Sequence, residues 1–212
     1  MRLALRAVAI GAVVVAVAAA VTPVRHALLR SAGRLLIGAG SVEPAQPPTM
    51  ICMDVESGEA GAIELSDRYR LRPAAVGLLV RGTTEVDREL KRRGVLVPDV
   101  LVEMLAQLGV PRSAVTKIPA GEGGTTETAA ALAGWARAHP ASQVVVVVGP
   151  SHGRRYRRAL VRVWPAHQPA PVVVTTPHAL FRADTWWQSR ATLREGLVEL
   201  EKLALDYARH PW

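Results

Sequence analysis

The sequence predicts an α/β domain in which a mostly parallel, doubly wound sheet carries helices on both faces. Short apolar runs alternate with segments of helical length over residues 50–207, which is typical of βαβ units with right-handed crossovers. The clearest run is five consecutive valines, Val144–Val148, followed by Gly149 and Pro150. A strand that is apolar on both faces belongs in the interior of a parallel sheet. Ligands bind beyond the carboxyl ends of such strands, so the residues after Val148 are the leading candidates for a site.

Five strands are predicted, each an apolar run bounded by Gly, Pro or polar residues. They cover residues 50–55, 74–80, 114–119, 143–148 and 171–176. Helices are predicted where apolar residues recur every three or four positions or alanine dominates. They cover residues 62–70, 98–108, 125–138, 153–164 and 186–207. The polar segment 56–61 is predicted to be a turn, and the charged residues 85–93 are assigned no element.

The residues ahead of this domain are typical of a membrane anchor. Residues 7–21 have no polar side chain, and 18 residues separate Arg6 from Arg25, just enough for a helix to span a bilayer. A cleaved signal peptide is the alternative, because Ala16-Val17-Ala18 and Ala18-Ala19-Ala20 resemble cleavage sites. The length of the apolar stretch favours the uncleaved anchor. Arginines flank it on both sides, so the charge pattern does not fix its orientation.

These patterns predict that the chain has three parts. Residues 1–37 form the anchor and a basic juxtamembrane helix, 38–48 a linker rich in Gly and Pro, and 49–212 the α/β domain. Within the first part, residues 24–37 carry leucines among arginines. This segment either lies on the membrane surface as a basic amphipathic helix or continues the anchor helix into water.

Charge and cysteine content narrow the function classes. The net charge is +8, but residues 1–40 hold five arginines and no acid, which leaves only +3 on residues 41–212. A nucleic-acid-binding domain needs a basic face, and only the arginines of 154–162 could supply one, so no nucleic-acid partner is expected. Cys52 is the single cysteine, which excludes an intrachain disulfide. A catalytic thiol is possible at this position, but a small apolar residue in a strand is the favoured interpretation.

A glycine-rich loop at residues 121–128 lies between the third strand and the next helix. Glycines let backbone approach a ligand closely, and a helix amino terminus presents free N–H groups to an anion. The candidate ligand-binding residues here are Gly121, Gly123, Gly124, Thr125 and Thr126. Either threonine can cap the helix, and Glu127 in its first turn suits the dipole. The spacing matches neither a P-loop nor a dinucleotide fingerprint, and a tight turn with a good cap is the alternative interpretation.

The strongest candidates for chemistry follow the valine strand. Ser151 and His152 come directly after it, and a histidine there can transfer protons near neutral pH. Arg155, one turn further on, faces inward and would hold an anion. Five arginines on this helix repel one another, so solvent, acids or an anionic ligand must offset them. Asp54 ends the first strand and is a further ligand-binding candidate. The adjacency of Ser151 and His152 and the absence of G-x-S-x-G argue against a Ser-His-Asp hydrolase.

The order of these motifs resembles the YdcF/SanA/ElyC-like envelope family, the domain of unknown function 218. The resemblance covers roughly residues 50–207, and the sequence is similar to a divergent member. The matching residues are Glu103 before Gly109-Val110-Pro111, Thr125, Glu127 and Ala129 at a helix start, Ser151, His152 and Arg155 after a strand, and Trp186-Trp187 near the last helix. The first strand lacks the family's glycine pair, Gly82 alone remains of Ser-Gly-Gly, and Thr128 replaces an Asn.

The resemblance implies a Rossmann-like three-layer αβα sandwich, preceded by a transmembrane helix, with a role in envelope biogenesis. Polyprenyl-phosphate or cell-wall precursor metabolism is the implied setting, and the expected ligand is an anionic small molecule or a lipid phosphate. In an enzyme of this kind His152 would transfer protons, Arg155 would hold the anion, and Glu127 or Glu103 would orient the histidine or bind a metal. The sequence assigns no metal site and no cofactor.

The implied location is the cytoplasmic membrane, with a single span in the bilayer and the domain on the extracytoplasmic side. Two alternatives stay open. One is a non-catalytic envelope scaffold or binding protein, and the other is a nucleotide- or S-adenosylmethionine-binding enzyme tethered on the cytoplasmic side.

Overall fold

The computed structural model describes residues 22–38, 44, 46–81, 85–94, 99–121, 124–140 and 142–211. Contacts divide the chain into two compact units, Ile37–Ala179 on the one hand and Met1–Leu36 with Leu180–Trp212 on the other. This grouping differs from the predicted boundaries, because residues from Leu180 onward were assigned to the α/β domain. The predicted anchor at residues 7–21 and the candidate ligand-binding residue Gly123 lie outside the described residues.

The unit Ile37–Ala179 is built on a five-stranded sheet in which every described strand pair is parallel. The strands are β1 (Met50–Asp54), β2 (Ala75–Arg81), β3 (Val115–Ala120), β4 (Val144–Val148) and β5 (Val172–Thr175). Each predicted strand is confirmed to within one residue at either end. The order across the sheet is β3-β2-β1-β4-β5, so the valine strand lies inside the sheet beside β1.

Helices precede, connect and follow these strands. They are α1 (Thr22–Ile37), α2 (Gly58–Leu71), α3 (Glu85–Arg92), α4 (Val100–Gln107), α5 (Thr125–Ala138), α6 (Gly153–Val163) and α7 (Arg190–Arg209). Short 3₁₀ helices at Val55–Ser57, Arg112–Ala114 and Pro150–His152 precede α2, β3 and α6. The described helices that lie between strands run back along the sheet, as βαβ crossovers require.

Three helical boundaries correct the sequence predictions. Residues 56–61 are not a turn, because the 3₁₀ helix after Asp54 leads directly into α2 at Gly58. The charged residues 85–92 form α3. Ion pairs three or four residues apart stabilise it, such as Arg88–Glu85 at 2.9 Å and Arg93–Glu89 at 2.7 Å. The last helix begins at Arg190, where the Ser189 side chain caps it by accepting from the Thr192 N–H.

Two buried clusters place the helices on opposite faces of the sheet. Alternate residues of β1 separate them: Met50 and Cys52 pack with α5 and α6, whereas Ile51 and Met53 pack with α2 and α4. Both faces of β4 are buried in the same way, with Val147 on the α2 side and its neighbours on the other. An interior strand covered on both faces has to be apolar throughout, which explains the unbroken valine run.

The unit containing α1 and α7 is organised around Trp186, which is fully buried. Its indole Nε1 donates to the Leu29 carbonyl of α1 at 2.8 Å. Gly196 of α7 lies so close under the ring that a side chain there would collide with it. Trp186 is therefore packed against the last helix, α7. Among the described residues, no helix is both long and apolar enough to cross a membrane.

Gly77 in β2 provides a test of the close packing in the sheet. A Cβ at this position would lie 2.7 Å from Cys52 Sγ and 3.1 Å from Met50 Sδ. Gly77→Ala is therefore expected to lower the free energy of unfolding by about 1–3 kcal/mol, because an overpacked core has to shift. Urea unfolding measures the change.

Gly134→Ala on the exposed side of α5 is the matched control. A Cβ there meets nothing within 4 Å, so the substitution should raise the free energy of unfolding by about 0.5–1 kcal/mol. Equal effects of the two substitutions would contradict the packing around Gly77. Combining Gly77→Ala with Cys52→Ala should cost less than the sum of the two single losses.

Candidate functional site

The strand order creates a crevice beside β1 and β4. From β1 the chain proceeds to α2 on one face of the sheet, and from β4 it proceeds to α6 on the other face. Where two neighbouring strands send their connections to opposite faces, the loops diverge and leave room for a ligand. We call this space the switch-point crevice; residues 54–58 and 149–153 bound it.

Asp54 closes the β1 side of the crevice. It is only 3% exposed, and one carboxylate oxygen accepts from the Glu56 N–H at 3.1 Å, which caps the 3₁₀ helix after the strand. By the alternation of β1, its side chain belongs to the face covered by α5 and α6. The predicted ligand-binding residue Asp54 is thus a buried carboxylate at the carboxyl edge of the sheet.

Ser151 and His152 occupy the β4 side. Ser151 is fully buried, and its Oγ hydrogen-bonds with His152 Nδ1 at 3.3 Å. The imidazole packs back over Gly149, where a Cβ would lie 2.9 Å from the ring. His152 Nε2 is buried and has no hydrogen-bond partner among the described residues. The predicted proton-transfer residue is therefore oriented by Ser151, with its second nitrogen left for another group.

Arg155 joins the β4 side of the crevice to the start of α5. Its Nη1 donates to Thr125 Oγ1 at 2.5 Å, which connects two of the predicted ligand-binding residues. Thr125 is the buried first residue of α5, and one turn later the Thr128 hydroxyl donates to its carbonyl at 3.0 Å. The start of α5 and the first turn of α6, which are separate motifs in the sequence, therefore meet in space.

The cap of α5 differs from the prediction. Gly124, with a φ of +76°, is the N-cap, and no side chain caps the helix. Neither Thr125 nor Thr126 fills that role, because Thr125 is turned to Arg155 and Thr126 is exposed. A glycine is favoured here because the backbone lies in the left-handed region.

Tyr156 is a site residue that the sequence interpretation missed. It is fully buried on α6, and its hydroxyl makes no hydrogen bond of ordinary geometry among the described residues. Burial raises the pKa of this phenol well above its usual range, and the nearby charge of Asp54 raises it further, while a polar contact with Thr128 works the other way. Tyr156 is therefore a neutral hydrogen-bond donor near the Asp54 carboxylate. Its place among buried residues three or four apart, between Gly153 and Ala159, is the signal that could have identified it.

Three buried polar atoms lack partners within the described part of the chain: Ser57 Oγ, His152 Nε2 and Tyr156 Oη. Ser57 ends the 3₁₀ helix that follows β1, and the other two residues follow β4, so all three lie along the carboxyl edge of the central strands. A buried polar group without a partner costs about 1–3 kcal/mol. All three therefore lie near the edge of the sheet at which ligands of open parallel sheets bind.

Glu127 and Glu103 are placed differently from the other candidates. Glu127 is exposed and its carboxylate folds back over Gly121, beside the start of α5. Glu103 does not reach this edge at all. It forms an ion pair with Arg112, which precedes β3 at the amino edge of the sheet, and that hydrogen bond lowers the pKa of the Glu103 carboxyl. The expectation that Glu103 orients His152 is therefore corrected.

The arginines of α6 divide into different roles. Arg157 is half-buried and donates to the carbonyls of Ile37 at 2.7 Å and Val173 at 3.0 Å. Burial lowers the pKa of its guanidinium, and Arg154 lowers it further. Arg157 is thus a structural cation that ties Ile37 to β5, whereas Arg155 contacts Thr125 at the start of α5.

A cavity and a buried cysteine of the same unit lie apart from the predicted site residues. A cavity of about 400 Å³ lies beside the amino ends of β1 and β4 and includes the Glu64–Arg68 ion pair, but none of the predicted site residues. Cys52 is fully buried in β1, and burial raises the pKa of its thiol, which makes a thiolate nucleophile unfavourable. The favoured apolar interpretation of Cys52 is confirmed.

In the described residues, no group of three or more His, Cys, Asp or Glu side chains could hold a metal ion.

No model of a known protein family matches the chain. No curated protein matches its sequence either.

Tyr156→Phe tests the unpartnered phenol. The substitution removes one buried hydroxyl and leaves the ring, so the free energy of unfolding at pH 7 is expected to hold or rise by about 1 kcal/mol. Urea unfolding measures it. A loss of stability comparable to that of a broken buried hydrogen bond would show that the hydroxyl is satisfied.

The same variant should also change the alkaline response. The folded chain keeps the phenol proton that the unfolded chain loses above the ordinary pKa of 10.0, so stability falls as the pH rises past that value. Without the phenol, this fall should be shallower by up to about 1.4 kcal/mol per pH unit. Identical stability changes between pH 7 and about pH 10.5 in both proteins would contradict the raised pKa.

Proposed function

We propose that this protein binds an anionic, phosphate-bearing ligand in the switch-point crevice. The single observation that carries the proposal is the convergence of Arg155, Thr125, Ser151 and His152 on one edge of the sheet. Three buried polar atoms at this edge have no hydrogen-bond partner within the described part of the chain. Ligands of open parallel sheets bind at this place, and a guanidinium with neighbouring N–H groups is a common phosphate binder.

Helix geometry adds to this support. Helices α2, α5 and α6 all begin at the carboxyl edge of the sheet, and the free N–H groups of a helix amino terminus favour an anion. At α5 this positive end coincides with Arg155 and Thr125. At α2 it faces Asp54, Glu56 and Glu59 instead. The anion therefore belongs on the side of α5 and α6.

His152 is the residue proposed to transfer protons if the ligand is turned over. Its Nδ1 is engaged by Ser151, which fixes the ring and leaves Nε2 as the atom that faces a ligand. Glu127 is exposed in the first turn of α5. Its proposed role is to add negative charge at the entrance of the crevice. His152 is oriented by the Ser151 hydroxyl and not by a carboxylate.

The proposed setting is the cell envelope. The five-stranded parallel sheet with helices on both faces is compatible with a Rossmann-like αβα sandwich of the YdcF type. Residues 7–21, which have no polar side chain, are proposed to anchor the chain in the cytoplasmic membrane with the sheet outside the cytoplasm. A ligand in polyprenyl-phosphate or cell-wall precursor metabolism fits both the anion and this location.

Arg155→Gln tests the anion site. The full chain in detergent is titrated with inorganic phosphate by calorimetry, and the variant is expected to bind at least about tenfold more weakly, because a hydrogen bond to a charged group is lost. Arg162→Gln, in the last turn of the same helix, is the matched control and should bind like the parent protein.

A scaffold function makes the opposite prediction. Charge reversals at Arg154 and Arg158 would then disturb the cellular role of the protein more than His152→Ala does. Phosphate binding that Arg155→Gln leaves unchanged, together with that pattern, would refute the crevice as the functional site.

A reporter fusion tests the location. A reporter enzyme that folds only outside the cytoplasm, joined to the carboxyl terminus of the full chain, is expected to be active. A fluorescent protein that matures only in the cytoplasm should remain dark at the same position. The reverse result would overturn the envelope setting and favour a nucleotide- or S-adenosylmethionine-binding enzyme tethered on the inner side.

A further inference from the structure

We infer that helix α1 lies along the surface of an anionic membrane and presents a defined apolar face to the lipid headgroups. This role of α1 goes beyond the ligand site in the switch-point crevice and rests only on the proposed membrane setting. The observations that carry it are the two faces of α1, of which one is packed within its own unit and the other is exposed.

The packed face fixes the rotation of α1 about its axis. Trp186 Nε1 donates to the Leu29 carbonyl at 2.8 Å, and Leu36 is buried. Gly33 lies so close to the segment before α7 that a Cβ there would be 2.6 Å from the Ala183 carbonyl oxygen. Leu29, Gly33 and Leu36 are three or four residues apart, so they share one face of the helix. The opposite face cannot turn inward without breaking these contacts.

An apolar stripe runs along that opposite face. Val24, Leu28 and Leu35 are 40%, 48% and 39% exposed. At about 100° per residue, they lie within about 40° of one another around the helix axis. The small residue Ser31 is exposed on the same stripe. A surface helix ordinarily carries polar residues opposite its packed face, so this second apolar face indicates a second contact surface.

Arginines flank the stripe, and α1 contains no acidic residue. Arg25 and Arg34 lie on either side of it, about 60–80° from the nearest apolar residue, and Arg30 lies beyond Arg34. Arg34 pairs with Asp184 at 3.4 Å, but both side chains are exposed, and such a pair contributes little. Long cationic side chains can reach lipid phosphates while the apolar stripe between them enters the headgroup layer. The charge pattern therefore matches an anionic lipid surface.

A second copy of the chain fits this face less well. Two stripes packed against each other would bring the flanking arginines of both helices together, and α1 has no acid to balance them. Like charges that meet in an interface oppose association. An anionic lipid surface instead offers the opposite charge along the whole length of the helix.

The sequence before α1 brings the helix to a membrane surface. Residues 7–21, the proposed anchor, have no polar side chain and end directly before Thr22. Pro23 lies in the first turn of α1, where a proline is well tolerated because its N–H is not needed. Inside a continuous helix the same proline would remove a hydrogen bond and clash with the preceding turn. This favours a surface helix over a straight continuation of the anchor into water.

Depth measurements on the full chain test the inference. Val24→Cys, Leu28→Cys and Leu35→Cys are labelled singly with an environment-sensitive fluorophore, and the parent protein, in which Cys52 is buried, serves as the blank. The chains are reconstituted into vesicles of phosphatidylcholine and phosphatidylglycerol that contain nitroxide-labelled lipids as quenchers. All three fluorophores should be quenched to a similar extent. An upright α1 would place residue 35 about 16 Å further from the bilayer than residue 24, since each residue adds about 1.5 Å.

Two results would overturn the inference while the anchor stands. One is a stepwise loss of quenching from residue 24 to residue 35, which is the signature of an upright helix. The other is no quenching at any of the three positions in chains that float with the vesicles, which would leave the stripe to water or to a protein partner. Chains that do not float with the vesicles would overturn the membrane setting as well. None of these results bears on the crevice.

Variants read at the Leu35→Cys fluorophore separate the apolar contact from the charge. Leu28→Glu should abolish the quenching, whereas Leu197→Glu on α7, where the leucine is similarly exposed, is the matched control and should not. Arg25→Gln combined with Arg30→Gln should weaken the surface contact in phosphatidylglycerol vesicles, because each arginine near an anionic surface contributes about fivefold in partitioning. Urea unfolding shows whether each variant is folded. Equal effects of the two glutamates, or an arginine variant that behaves like the parent, would contradict the inference.

Discussion

The parallel pairing of β1 with β4 is the constraint on which the site depends. Met50 to Met53 of β1 lie opposite Val144 to Val147 of β4, so the two strands end side by side. Because their following helices lie on opposite faces, the chain cannot close over the point where they part. The sheet order thus produces the crevice before any side chain in it is specified.

The same pairing decides which residues face the crevice together. Side chains alternate along β1, which puts Asp54 in the layer of Met50 and Cys52 and therefore under α5 and α6. Tyr156 enters that layer from α6, and Thr128 enters it from α5. A carboxylate is costly in such a position. Its acceptance of the Glu56 N–H offsets part of that cost, and the fold supplies the phenol nearby.

Elements with a strong local signal could be predicted from the sequence, and long-range pairings could not. The strands follow apolar runs, so their ends are correct to within one residue. Helix α3 was missed because it has almost no apolar face, and it is held by ion pairs such as Arg93–Glu89. Glu103 was placed in the site because of its position before Gly109. Which edge of the sheet it reaches depends on its partner Arg112, and sequence spacing does not encode that choice.

The arginine-rich helix shows why composition alone could not distinguish a basic surface from a site. Five arginines lie on α6, but they have different partners. Arg157 donates hydrogen bonds to the carbonyls of Ile37 and Val173, whereas Arg155 donates to Thr125. Gly153 lets the Ile37 carbonyl approach the first turn of the same helix, where a Cβ would come within 2.7 Å of it. The start of α6 after His152 is therefore held by Ile37 and by β5. Side chains of the same type on one helix therefore differ in role according to the carbonyls and hydroxyls that the fold brings to them.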